Sequence, residues 1–485
     1  MQRKGLRFLT VLVTALVLSL AWVVGSHAQL QPITTTNLCN SATTCTTAQL
    51  PTVIAAILRR PATDVLGKAH VGIVIMHDNS SYINFAACST LAQRGFTTLC
   101  INGPFTGNQY GYYGPEQLAP SVGAGINYLR NNVTGPTVSK VVIFGHSGGG
   151  QLMPFYQNVA ENGPSVCQGP EKLVPCIDTN IRNLPKADGV ILFDAHPGVG
   201  FGDFTYTDPA VINNTLGQRD VSVDMFDPAN GYNIATNGAT YTDAFKKRYT
   251  AAQAIRNQDL INQALDLLQQ ERVATGNPNA LGDDIPFTIV GGSSARLWQP
   301  DLSLVSCTKN PHIFLSHDGT RPVQKVCSVR PPSGDRANGL TAASTLSFNV
   351  HVFLGARIIR TNGRYTQTAD DITGIDWESS SMSSSVNIRG IGNHPNGTNA
   401  TTPILIVANG GHYFLTSDEA IYDNATTPDK TYAIEEGSVH GGTECTACEA
   451  LLGLPQPSGP GTFGYYGDTF TRTSDFMAEW LNARY

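Results

Sequence analysis

After its first two dozen residues, this 485-residue chain has no apolar run long enough to cross a bilayer. It also lacks internal repeats and heptads, which excludes solenoids and coiled coils. Basic residues are scarce, 31 against 37 acidic ones. Arg3, Lys4 and Arg7 all fall before residue 29, so the remainder carries 28 basic against 37 acidic residues, a net charge of −9. That balance speaks against a nucleic acid or an anionic membrane as partner.

The one long apolar run, from Phe8 to Val24, follows those three basic residues and precedes Ser26-His27-Ala28, where small residues suit a signal peptidase. It reads as a secretory signal over 1–28, with a secreted product, extracellular or periplasmic, that keeps no membrane anchor. The ten cysteines lie downstream of it and fall into close pairs: 39 with 45, 88 with 100, 167 with 176, 307 with 327, and 445 with 448. An oxidising compartment would bridge them locally, although sequence alone does not fix connectivity. Sequons stand at Asn79, Asn132, Asn213, Asn396, Asn399 and Asn424.

Continuous apolar runs recur at 71–76, 96–101, 140–145, 189–194 and 403–408, separated by helical patterns such as 115–132, where Leu118, Val122, Ile126 and Leu129 share a face. Strands apolar throughout that alternate with helices predict a mostly parallel sheet covered on both faces. The span 199–400 interrupts this alternation and reads as an insertion between an N-terminal half, 29–198, and a C-terminal half, 401–485. Within it, 242–274 is a long helical stretch and 312–329 is hairpin-like. The Ser-, Asn- and Gly-rich segment 376–402 reads as a surface loop.

"VVIFGHSGGGQL" (141–152) places Ser147 in a G-x-S-x-G at a strand-to-helix turn. With glycine at 48 of 485 positions the pentapeptide alone is weak, but this context is the one a nucleophile elbow requires. A serine hydroxyl needs a base, and His440, in the Gly-rich loop "GSVHGG" after the last strand, is the candidate.

The order strand, "HDNSS" turn, helix, strand, helix, strand, "GHSGGG" elbow, then a late "GSVHGG" resembles the α/β-hydrolase superfamily over roughly 65–198 and 400–485. The resemblance implies that fold, with a lid or cap before the last two strands. It implies Ser147 as nucleophile, His440 as base, and an oxyanion hole from the amides of Gly148 and Asn79, although Asp78 stands where glycine is more usual. Most relatives carry the acid shortly after the penultimate strand, where this chain reads "NGGHYF" and offers His412. The available carboxylates are Asp418 and Glu419 farther on, and Asp194 at the end of an earlier strand; Glu419 is placed ahead of Asp194. His77, His146, His196 and His412 are candidate pocket residues, with structural histidines as the alternative for His196 and His412.

Cys445-x-x-Cys448 would need two further ligands to hold zinc, so it reads as a bridge tethering the loop of His440. No metal and no cofactor are expected. The chain thus reads as a serine hydrolase of small-molecule or polymeric carboxylic esters. Its alternatives are an amidase or peptidase using the same residues, or a binding protein on an inactive hydrolase fold.

Overall fold

Apolar strands alternate their side chains between two faces, so a strand apolar at every position must be covered on both. The computed structural model, which describes residues 30–39, 49–104, 111–293, 296–333, 344–392 and 401–485, bears this out strand by strand. β1 (Ile33–Cys39), β2 (Ala55–Pro61), β3 (Val71–Ile75), β4 (Thr97–Asn102), β5 (Lys140–Ser147) and β6 (Gly189–Ala195) are joined by β7 (His312–Leu315), β8 (Val323–Gln324), β9 (Ile404–Asn409) and β10 (Lys430–Glu435) in one ten-stranded sheet. Its order is β1-β2-β4-β3-β5-β6-β9-β10-β7-β8. The strands from β4 to β7 in that order run parallel, while β1, β2 and β8 are antiparallel to their neighbours.

Val74, Ile143, Val190, Leu192, Ile404 and Ile406 point to one face, where α2 (Pro115–Asn132), α3 (Gly149–Asn162) and α6 (Leu415–Asn424) cover them. Their neighbours Ile73, Ile75, Val142, Phe144, Ile191, Phe193 and Leu405 point to the other, against α1 (Ala86–Gln93) and α7 (Thr469–Asn482). Each such side chain contributes about 1.5–3 kcal/mol on burial, so the alternation fixes which face every strand presents. The result is the mostly parallel, doubly covered sheet that the strand pattern predicts, and it agrees with the α/β-hydrolase fold that the resemblance implies.

Three features depart from the sequence reading. β1 and β2 are not among the expected strands: "ITTTNLC" is largely exposed and carries no apolar run, and the short apolar stretch of "AAILRRP" ends in two arginines. The hairpin β7–β8, read as part of a roof over the site, instead extends the sheet: β7 pairs in parallel with β10, and Leu315 joins the core. The serine-rich stretch around 379–387 is not a surface loop. Ser379, Ser380, Ser381, Ser383, Ser384 and Asn387 are buried, and backbone carbonyls satisfy several of their polar groups. Ser380 Oγ donates to Ala356 O (3.0 Å), Ser384 Oγ to His196 O (2.7 Å) and Asn387 Nδ2 to Ser381 O (2.9 Å). Residues 393–400 of that segment, like residues 1–28 and Cys45, lie outside the described residues.

Between β6 and β9 stand α4 (Val199–Tyr206) and α5 (Asp243–Thr275), the latter capped by Thr242 Oγ1, which accepts from the Phe245 amide at 3.2 Å. Phe245, Tyr249, Leu260, Ile261, Ala264 and Leu268 form its buried face. Disulfides join Cys88 to Cys100, Cys167 to Cys176, Cys307 to Cys327 and Cys445 to Cys448. No helix among the described residues is long and apolar enough to cross a membrane.

Candidate active site

The turn from β5 into α3 works only with very small residues. A Cβ at Gly145 would lie 2.2 Å from Gly149 O, one at Gly149 2.5 Å from Met76 O, and one at Gly150 2.5 Å from the Ala195 Cβ. These contacts let the start of α3 press against the ends of β3 and β6. Ser147 takes the bend itself at φ +55°, a conformation that costs a non-glycine residue about 1–2 kcal/mol. Its carbonyl accepts from the His196 amide at 2.9 Å, which pins the elbow to the end of β6. Asp194, beside it on β6, is also left-handed at φ +43°.

His440 bridges these two strained residues. Its Nε2 lies 2.8 Å from Ser147 Oγ, and its Nδ1 lies 2.5 Å from Asp194 Oδ2. Asp194 is fully buried, and its other oxygen accepts from the Asn409 amide at 3.2 Å. Burial works against an ionised carboxylate, but His412 and His440 outweigh it and hold Asp194 well below the usual range. His412 Nδ1 stands 2.8 Å from the same Oδ2, though without hydrogen-bond geometry, and its ring stacks on His440 at 4.5 Å. Burial lowers its pKa to about 4, so it is neutral at ordinary pH.

Glu419, placed first among the acids on sequence, does not reach His440. Its carboxylate accepts from the amides of Lys309 (2.6 Å) and Asn310 (2.8 Å) and lies 2.7 Å from His312 Nε2. It therefore anchors the approach to β7. One residue earlier on α6, about 100° around the helix, Asp418 faces β6 instead, accepting from the Ala195 amide at 3.1 Å. Burial, reinforced by the charge of Asp194, pushes Asp418 well above the usual range, so it is the neutral member of that pair.

The loop carrying His440 is held from behind. The His440 carbonyl lies 2.5 Å from His146 Nε2 and accepts from Asn409 Nδ2 at 3.2 Å. His146 Nδ1 lies 2.5 Å from the Tyr82 hydroxyl, and its ring stacks on Phe85. Burial, and then the nearby His440, lower the pKa of His146 to about 3. His146 thus faces the back of the loop and not a pocket. Tyr82 completes this support, and no sequence motif marked it. The Cys445–Cys448 bridge begins at a residue whose amide donates to Gly437 O at 2.8 Å, in the same loop.

On the other side of Ser147, the Gly148 amide donates to His77 Nε2 at 3.1 Å, while the Asn79 amide lies 3.1 Å from His77 Nδ1. The two amides thus face opposite nitrogens of one imidazole and do not converge on a common point. A neutral imidazole accepts at one nitrogen only, so the ring cannot serve both. Asp78 packs its carboxylate against Gly148, where a Cβ would lie 2.0 Å from Oδ1, and Oδ2 accepts from Gln151 Nε2 at 2.7 Å. Burial opposes its charge, but His77, Arg357 and His196 overcome that and bring it to about 2.

His146, Asp194 and His440 bring nitrogen and oxygen atoms within 4.8 Å of one another, close enough for a metal ion. Both nitrogens of His146 are engaged, however, by Tyr82 and the His440 carbonyl, and both nitrogens of His440 by Ser147 and Asp194. Next to His412, the residues Tyr413 and Phe414 line a narrow crevice with His196, Phe201, Arg296 and Trp298, among others. His196 accepts from the Gly198 amide through Nδ1 at 3.2 Å, and burial, with Arg296 nearby, lowers its pKa to about 3.

No protein-family model matches the chain, and no curated protein sequence matches it. Solved structures that it resembles include brefeldin A esterase, described as a bacterial homologue of human hormone-sensitive lipase. That protein is 12% identical over 96% of this chain and 81% of its own, with a TM-score of 0.38. DcsB in complex with its substrate analogue is 12% identical over 93% of this chain and 99% of its own, with a TM-score of 0.35. Esterase B from Lactobacillus rhamnosis is 12% identical over 36% of this chain and 53% of its own, with a TM-score of 0.25. None of these identities carries an activity across to this chain.

Proposed function

We propose that the protein is a secreted serine hydrolase of carboxylic esters, with Ser147 as nucleophile, His440 as base and Asp194 as the acid. The observation that supports this is the unbroken chain from Ser147 Oγ to His440 Nε2 at 2.8 Å and from His440 Nδ1 to Asp194 Oδ2 at 2.5 Å. Ser147 Oγ attacks the ester carbonyl as His440 takes its proton. The tetrahedral intermediate then collapses, the acyl–oxygen bond breaks, and His440 returns the proton to the departing alcohol. Water, activated by the same histidine, releases the acid and frees the serine. Asp194, buried and ionised, fixes the imidazole's tautomer and offsets its positive charge. The Gly148 amide donates to the oxyanion once substrate displaces His77 Nε2 from it. Asn79 would serve as second donor only after its amide also leaves His77. The four disulfides among the described residues suit an oxidising compartment.

A fluorophosphonate probe should label the protein at Ser147, with peptide mapping to locate the adduct, and Ser147→Ala should abolish both labelling and p-nitrophenyl butyrate hydrolysis while leaving far-UV circular dichroism unchanged. Equal labelling of the Ser147→Ala variant would overturn the assignment.

A further inference from the structure

Three backbone amides point at one imidazole beside the nucleophile. Those of Asn79 and Ser80 each lie 3.1 Å from His77 Nδ1, and that of Gly148, next in the chain after Ser147, lies 3.1 Å from Nε2 of the same ring. A neutral imidazole accepts at one nitrogen and donates at the other, so on one side of the ring N–H must meet N–H. The ring is 8% exposed and stacks on Tyr82 at 4.6 Å, while the Tyr82 amide donates to Asn102 Oδ1 at 2.8 Å. Packing therefore holds the imidazole in this plane, with the conflict built in.

The surrounding donors decide the tautomer. Two amides with hydrogen-bond geometry meet Nδ1, and one meets Nε2. Asp78 Oδ1 stands 2.8 Å from Nδ1 but without hydrogen-bond geometry, and its Oδ2 accepts from Gln151 Nε2 at 2.7 Å. Nδ1 is therefore the acceptor, and Nε2 carries the proton. The conflict then falls between His77 Nε2–H and the Gly148 N–H, two donors 3.1 Å apart that face each other beside Ser147. Buried donors without an acceptor cost free energy. An oxygen anion taken up between them recovers it.

We propose that His77 Nε2–H is the second donor of the oxyanion hole, paired with the Gly148 amide, and that the amides of Asn79 and Ser80 hold the imidazole in the tautomer that donates. The proposal rests on the hydrolase reading above and adds a catalytic residue to it. As Ser147 Oγ bonds to the acyl carbon, the carbonyl π pair moves onto oxygen, and that oxygen comes between the two N–H groups. Each donates a hydrogen bond and keeps its proton. When the intermediate collapses, the pair returns to the carbon–oxygen bond, the bond to the leaving oxygen breaks, and His440 supplies that oxygen with its proton. Asn79 thus acts from behind the ring and not on the oxyanion. Donors fixed before the reaction need no reorganisation as the charge develops, and a ring held by two amides and a stacked tyrosine meets that requirement.

The test replaces His77 by Ala, and by Gln, whose side-chain amide still carries an N–H donor. Loss of one oxyanion-hole donor lowers kcat by roughly 100-fold or more. His77→Ala should show that loss with p-nitrophenyl butyrate at a near-native KM, and His77→Gln should regain part of it. Affinity for an alkyl trifluoromethyl ketone, whose adduct with Ser147 bears the oxyanion, should fall in His77→Ala by a similar factor. Because replacing a buried residue can impair folding, the native protein gives an independent reading. Histidine-selective isotope labelling and NMR should find the His77 proton on Nε2, with its resonance moving downfield when the ketone binds. Native kcat and native ketone affinity in a folded His77→Ala variant, or a proton on Nδ1 alone in the native protein, would overturn the proposal and leave the hydrolase reading standing, since Ser147 would still take the fluorophosphonate. Absence of ester hydrolysis by the native protein, with no labelling at Ser147, would remove both.

Discussion

β6 and β9 are neighbours in the sheet and end side by side, yet they finish differently: β6 in Asp194 and Ala195, and β9 in Asn409 followed by Gly410, Gly411 and His412. The chain order Ser, acid, His is satisfied by a carboxylate after either strand. Here the carboxylate stands on β6, and a histidine from the β9 side comes within 2.8 Å of it. On the proposed reading, the buried negative charge beside the imidazole comes from β6, whereas the resemblance pointed to a carboxylate after β9. His412 then fills the position left over, stacked on His440 and kept neutral by burial.

The largest effect expected concerns the pair that both strand ends serve. Ser147→Ala and His440→Ala should each lower kcat by about a million-fold, and the double variant should fall no further, since the two act as one unit. A multiplicative loss in the double variant, measured with p-nitrophenyl butyrate, would mean that they act separately.

A smaller effect should follow from exchanging the strand ends. In an Asp194→Asn background, His412→Asp puts a carboxylate back on the β9 side and should recover roughly 10-fold or more of the kcat lost, a fraction of what a well-placed triad acid supplies. No recovery, with melting curves showing a folded protein, would mean that only β6 can present the charge.

The smallest prediction concerns stability. His146, His196 and His412 have pKa values lowered by burial to about 3, 3 and 4. In the unfolded chain each takes up a proton near pH 6.5, whereas the folded chain resists until the lower value, so the unfolded state binds more protons in between. Stability is therefore fully present above about pH 6.5 and falls as the pH drops towards 4, by about 1.4 kcal/mol per pH unit for each histidine. The slope of Tm against pH between 6 and 4 should shrink in His196→Gln; an unchanged slope would count against this.

How much of this was legible in the sequence follows from how each feature is held in place. The central strands could be read because burial on both faces demands an unbroken apolar run, as in "VGIVI" and "ILIVAN". Ser147 could be read because its elbow needs the small residues at 145, 149 and 150, and His440 because it lies in a Gly-rich loop after the last strand. The acid could not. Asp194 ends an apolar strand much as a structural residue would, and Asp418 and Glu419 differ only by one step around a helix, which local sequence does not orient. The buried serines near 380 were missed because their carbonyl partners, such as Ala356 O and His196 O, come from elements distant in sequence. The edge strand β1 carries no apolar run, and the apolar start of its neighbour β2, "AAIL", is short and ends in two arginines.

The most direct test of the central claim is kcat for Asp194→Asn beside Glu419→Gln, with p-nitrophenyl butyrate as substrate and thermal melts to confirm folding. Asp194→Asn should lose about ten-thousand-fold in kcat at a near-native Tm. Glu419→Gln should keep nearly native turnover and lose Tm as the Lys309–His312 anchor loosens. Near-normal turnover in Asp194→Asn together with collapse in Glu419→Gln would contradict the account.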